Sequence, residues 1–183
     1  VSSAAKNGEI PGILLGNIVF SPEDQADDSL EELFRSGIMT RKVVFSRDGI
    51  KFGIFSLMGI EADDNAALAA PVTFSKQISA ARLMVRQLKE EKCDMIICLS
   101  HSGVFKDEKG NWDREDIDLA EKVDGIDLII SGHTHTKLEE PLIVNGVPIV
   151  QTGEYGKNVG SLTLSLEKGI TKVESYSLIP VND

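Results

Sequence analysis

The stretch Met95-Ile96-Ile97-Cys98-Leu99-Ser100-His101-Ser102-Gly103 is a short apolar run that ends on a histidine and a glycine. Further along, Gly125-Ile126-Asp127-Leu128-Ile129-Ile130-Ser131-Gly132-His133-Thr134-His135-Thr136 has the same form. Apolar runs of this length, bounded by Gly and polar residues, read as buried strands, here 95–100 and 126–130. Between them Ile117, Ala120 and Val123 recur on one side of a helix expected from about Arg114 to Val123. Strand, helix and strand in that order form a right-handed βαβ unit with the two strands parallel.

Upstream, Ile78, Ala81, Val85 and Leu88 recur at helical spacing, which predicts a helix over Ser75 to Lys92. Before it, Arg41 to Ser46 and Ile50 to Leu57 are β-rich and flank Arg47-Asp48-Gly49, a hairpin signal. Ser29 to Arg35 suits a short helix capped by Asp28 or Ser29, and Ile13 to Phe20 suits a strand after Pro11-Gly12. Downstream, Asn145-Gly146 joins strands Leu142 to Val144 and Val147 to Gln151. Leu162, Leu164 and Leu166 alternate with Thr and Ser in a half-buried strand that Lys168-Gly169 turns into Thr171 to Ile179. The fold class expected is α/β: parallel strands in the middle, an antiparallel run after them, helices on the flanks. No repeat or linker divides the 183 residues, so a single domain is expected.

The chain carries 29 acidic and 19 basic residues, a net charge of −10. Such a surface repels phosphate backbones and anionic lipid, which argues against polymeric nucleic acid as a partner. No apolar stretch approaches the roughly 20 residues of a spanning helix, so no membrane insertion is expected. Cys93 and Cys98 are separated by near-extended chain, beyond the reach of a disulfide, and read as free thiols.

All three histidines, His101, His133 and His135, fall at or just past the end of a predicted buried strand. The carboxyl ends of such strands are where open α/β sheets bind ligands. Neighbouring strands are about 4.8 Å apart, which brings His101 and the His133/His135 pair to one rim. In extended backbone His133 and His135, two residues apart, would point to the same side. Imidazole nitrogens suit Zn, Fe, Mn or Co, and Gly103 and Gly132 leave room for backbone to crowd around an ion.

These residues carry a resemblance. Leu99-Ser100-His101-Ser102-Gly103, the Gly125 to Thr136 stretch, and Gln151-Thr152-Gly153 resemble the later motifs of calcineurin-like metallophosphoesterases, in particular the 5′-nucleotidase and UDP-sugar hydrolase branch. The resemblance implies part of a metallophosphoesterase-type αββα sandwich with mixed β-sheets. It implies a small phosphate ester, such as a nucleotide, as substrate, and two divalent metal ions as cofactors. By resemblance His101 and His133 bind the second ion and His135 the first. A periplasmic or extracellular location is likewise implied by the family alone.

The family also uses an early Asp-x-His, a bridging Asp and an Asn-His pair, and no histidine occurs before His101. In Gly16-Asn17-Ile18 the Asn is not followed by His, so Asn17 is read as ending or kinking a strand. The expectation is therefore a chain that begins after those motifs and holds no catalytic residue of its own. It would be inactive alone, with a preceding segment or a second chain completing the site. The alternative is a non-catalytic module that binds a metal or a partner. Asp113, Glu115, Asp116 and Asp118 read as helix-capping and solvated acids. Trp112 reads as a loop anchor, and Tyr155 as a possible border of the cleft. No phosphate-binding glycine loop and no Gly-x-Ser-x-Gly nucleophile is present.

Overall fold

The computed structural model describes residues 11–60, 62, 69–167 and 169–181. In chain order its strands are β1 (Ile13–Leu14), β2 (Ile18–Val19), β3 (Met39–Thr40), β4 (Lys42–Arg47), β5 (Ile50–Met58), β6 (Thr73–Phe74) and β7 (Met95–His101). They continue with β8 (Phe105–Lys106), β9 (Trp112–Asp113), β10 (Leu128–Ile130), β11 (Leu142–Val144), β12 (Val147–Val150), β13 (Asn158–Glu167) and β14 (Ile170–Pro180). The α-helices are α1 (Asp28–Arg35), α2 (Gln77–Glu90) and α3 (Glu115–Lys122).

Six strands form one mixed sheet in the order β11-β12-β10-β7-β5-β4. β12, β10, β7 and β5 are parallel, and β11 and β4 close the edges as antiparallel hairpin partners. The βαβ unit is as expected, with Ile129 opposite Cys98 and Ile130 opposite Leu99. Two of the three hairpin turns predicted from sequence are described in full and form: Asp48 and Gly49 have φ of 52° and 81°, and Asn145 and Gly146 have 49° and 82°.

Successive strand residues face opposite sides of the sheet, and the two sides have different cover. Ile96 and Cys98 pack with Ala81, Val85, Leu88, Leu119 and Ala120 from the helices. Met95 and Ile97 pack on the other side with Leu162, Leu164 and Tyr176 from the β13–β14 hairpin. Helices, six-stranded sheet and two-stranded sheet make three of the four layers expected of an αββα sandwich. The thiols are free, Cys98 buried and Cys93 partly so.

Several boundaries differ from expectation. Ile13 to Phe20 is two short strands in different sheets, because a kink at Gly16-Asn17 separates them. Asn17 is 1% exposed; its amide nitrogen donates to the Met58 and Ser75 carbonyls and its oxygen accepts from Met58 N–H. At Gly16 a Cβ would lie 2.1 Å from the Ser56 carbonyl oxygen, so only glycine allows this approach. The residue before α1 is Asp27, not Asp28 or Ser29, and its carboxylate accepts from Ser21 N–H rather than capping the helix. The loop through Lys109-Gly110-Asn111 is the tip of the β8–β9 hairpin, with Asp107 accepting from Lys109 and Asn111 N–H. Trp112 anchors that hairpin on the main core, as expected of it. Of the predicted turn Lys168-Gly169, Lys168 lies outside the described residues.

Candidate functional site

The parallel strands deliver the histidines to one rim. Met58 is in register with His101, and Gly59 N–H donates to the His101 carbonyl at 3.1 Å. β10 ends beside β7 and runs directly into Ser131-Gly132-His133. The His101 and His133 rings meet edge to face, with centroids 5.0 Å apart and an interplanar angle of 62°. Neither ring is buried in the core: His101 is exposed and His133 half-buried.

His135 is placed differently from expectation. The backbone is not extended here, since His133 and His135 have φ of 75° and 56°, left-handed values that histidine adopts more readily than most residues. Strand alternation therefore does not place the two rings on a shared side. His135 packs edge to face on Tyr155 at 5.1 Å, and its Nδ1 lies 3.2 Å from Glu154 Oε2. Tyr155, 82% exposed, does border the histidine cluster.

Behind the rings sits a set of polar residues that sequence reasoning missed. Asp116, assigned to the solvated acids of a helix start, is fully buried. Its Oδ1 accepts from the Ser100 hydroxyl at 2.5 Å, and its Oδ2 from the Ser131 hydroxyl at 2.5 Å and from Gly103 N–H at 3.2 Å. Burial raises its pKa to about 6 against the pull of those three donors. Ser100 also pairs with Ser102 at 2.7 Å, and Ser102 accepts from the Gln77 amide. Glu115 accepts from Ile60 N–H, tying α3 to the end of β5.

Gln151 is 2% exposed. The Ser131 hydroxyl proton is committed to Asp116, so the Gln151 amide nitrogen faces Ser131 and Thr134, while its oxygen accepts from the N–H groups of His135 and Thr136 at 3.2 and 3.0 Å. Thr134 and Thr136 hydroxyls both donate to the Val104 carbonyl. Gly103 closes the two turns together: its φ is 89°, and a Cβ would meet Thr134 Cγ2 at 2.4 Å and the Gly132 carbonyl oxygen at 2.8 Å. Gly132 is under no such demand, as its nearest neighbours would be at 3.5 Å.

The His101 pKa is lowered, first by desolvation and then by the nearby His133 and His135. A neutral imidazole keeps a lone pair free, which is the form a metal takes. The two close rings fit as donors to one transition metal. Among the described residues, however, no three His, Cys, Asp or Glu side chains gather as a metal-holding group.

Comparison with known proteins agrees with the fold and the motifs. Residues 13–137 match the family model described as calcineurin-like phosphoesterase. The trifunctional nucleotide phosphoesterase YfkN of Bacillus subtilis is 31% identical over 151 residues, spanning 77% of this chain and 10% of that protein. A 5′-nucleotidase of Vibrio vulnificus is 30% identical over 165 residues, spanning 76% and 29%. Among solved structures, a 5′-nucleotidase precursor from Thermus thermophilus superposes with a TM-score of 0.75 at 22% identity, covering 98% of this chain and 35% of that one. The likeness to this last structure speaks for the fold alone. The chain therefore spans about a third or less of the length of each of these relatives. Since the family match covers more than half of the chain and runs from the first strand through both histidine turns, the chain belongs to the calcineurin-like phosphoesterase family.

Proposed function

We propose that these residues form one side of a two-metal site that hydrolyses nucleotides or similar small phosphate esters, as a 5′-nucleotidase does. The observation that carries this reading is the edge-to-face contact of His101 and His133 at the carboxyl rim of the parallel strands. In it His101 and His133 hold one divalent ion and His135 the other, with Zn, Mn, Fe or Co all suited to imidazole. When bound, the ions would polarise the phosphoryl oxygens and lower the pKa of a shared water.

The chain's own residues do the positioning. Glu154 beside Nδ1 of His135 favours the proton on that nitrogen and leaves Nε2 free to ligate. Desolvation, followed by the neighbouring His133 and His135, lowers the pKa of His101 and so favours its neutral form. The remaining ligands come from a preceding segment or a second chain, so residues 1–183 are read as a single, partial catalytic domain without turnover of its own. Export to the periplasm or cell exterior belongs to the same reading. Among the described residues no helix is long and apolar enough to cross a membrane.

A second reading, a metal- or partner-binding module without catalysis, draws on the absence of a third grouped ligand among the described residues. One pair of measurements separates the two. His133→Ala is expected to lower zinc or manganese content, by elemental analysis, in the protein that carries this domain. That protein should hydrolyse p-nitrophenyl phosphate while the 183-residue chain does not. Unchanged metal content in the variant would defeat the site. Metal uptake without hydrolysis by the longer protein would favour the binding module.

A further inference from the structure

Three residues of the two histidine turns converge on a single side chain. Ser100 precedes His101, Gly103 follows it by two, and Ser131 precedes His133 by two. All three donate to Asp116 on α3. We propose that Asp116 is a positioning residue that fixes the His101 and His133 rings against each other by tying both strand-end turns to one buried carboxylate. The inference rests on the two-metal reading for its purpose, not for its geometry.

Chemistry limits what else could fill this position. The three donors approach from the end of β7, the turn after it and the turn after β10, and a carboxylate accepts all of them through two oxygens. The hydroxyl chain behind it is ordered in one direction. Gln77 donates to Ser102, Ser102 to Ser100, and Ser100 to Asp116, so the chain needs a pure acceptor at its end. An asparagine would present an N–H₂ where one oxygen now accepts, and Ser100 and Ser102 would have to reverse. The other amide orientation would set the N–H₂ against the Gly103 N–H and the Ser131 hydroxyl, which now share Oδ2.

The tie also has a mechanical reason. The pairing of β7 with β10 ends at Leu99 and Ile130, and the outer neighbours β5 and β12 hold the chain only as far as His101 and Ser131. Beyond that point the backbone turns into left-handed conformations at Gly103 and His133. Glycine takes such a value freely, whereas at His133 it persists only where surrounding contacts hold it. Asp116 on one side and Gln151 on the other supply those contacts, and Asp116 is the one that bonds both turns.

Positioning is read directly from the imidazole resonances near neutral pH. In the edge-to-face pair each ring shifts the carbon-bound protons of the other, and a cross-ring NOE connects them. Asp116→Asn and Ser131→Ala are expected to abolish the NOE and move those protons toward free-histidine values. Leu119→Ala, a core truncation on the same helix, should destabilise the fold and leave both signals intact. A second arm titrates Co(II) by its visible absorption, where Asp116→Asn should weaken binding about tenfold or more and Leu119→Ala by less than about twofold. If Asp116→Asn does not fold, Ser131→Ala, at a partly exposed position, decides. Ring signals and Co(II) affinity unchanged in the folded variants would overturn the proposal. A wild-type chain with the paired ring signals but no Co(II) binding would refute the metal reading while the NMR arm still settles the role of Asp116.

Discussion

Replacing Asp116 by Asn should change how stability depends on pH, and the size of the change follows from where the carboxyl sits. Burial raises its pKa from 3.8 to about 6 even though three donors oppose the shift. Between those values the native state holds the proton more tightly than the unfolded chain does. Stability contributed by the protonated form is therefore complete below 3.8 and is lost as pH rises through about 6. The gap corresponds to roughly 3 kcal/mol, at about 1.4 kcal/mol per pH unit. From about pH 7 down to about pH 4 the wild-type chain should gain roughly 2 kcal/mol over Asp116→Asn. Urea midpoints measured on both proteins across that range should separate by about 1 M, for a slope near 2 kcal/mol/M. The raised pKa of Asp127 also bends each profile, but it is common to both proteins and cancels in the difference. Parallel profiles would mean that the three hydrogen bonds fully offset desolvation. A difference of opposite sign would mean that they outweigh it.

Gly103→Ala should cost roughly 3 kcal/mol, from a left-handed φ of 89° worth about 1–2 kcal/mol and from overlap with Thr134 and the Gly132 carbonyl worth about 1–3 kcal/mol. A chemical denaturation loss below about 1 kcal/mol would show that the turns do not approach so closely. Asn17→Ala leaves two carbonyls and the Met58 N–H without their buried partner, and should cost about 2–4 kcal/mol. Fast hydrogen exchange at the Met58 amide in that variant is the local check, and retained protection there would contradict the bonding described.

What could be read from sequence was what repeats along it. Strands 95–100 and 126–130 came through because buried parallel strands are continuous apolar runs, and their adjacency followed from the helix between them. The turns at Asp48-Gly49 and Asn145-Gly146 came through because Asp-Gly and Asn-Gly accept the left-handed values such turns impose. Asn17 was read as a kink because Ile18 follows it, and the chain does bend there, with the Asn17 amide holding β5 to the segment before α2. Periodicity failed where a kink mattered: Ile13 to Phe20 has the composition of one strand, and only the closeness of Ser56 to Gly16 shows why it is two.

The residues that fix the site were harder to read, for a physical reason. Glu115, Asp116 and Asp118 look equivalent as acids in the first turn of α3, where each favours the helix dipole. Asp118 is exposed and pairs with Lys122, Glu115 reaches Ile60, and Asp116 alone turns inward. What distinguishes it is the set of hydroxyls that meet it, Ser100 and Ser131, and these lie on other elements. A signal was nevertheless present: serines stand at corresponding places before both histidine turns, at the ends of strands otherwise entirely apolar. Small hydroxyls at a buried strand end need an acceptor, and an acid on the crossover helix between those strands is the nearest one the chain can supply. The same reasoning applies to Gln151, a long amide that follows four buried residues of β12 and reaches the adjacent turn. In a fold of this kind, polar residues at the ends of apolar strands are to be read together with the connecting helix, because the sheet brings the strand ends together and the helix carries the group that holds them.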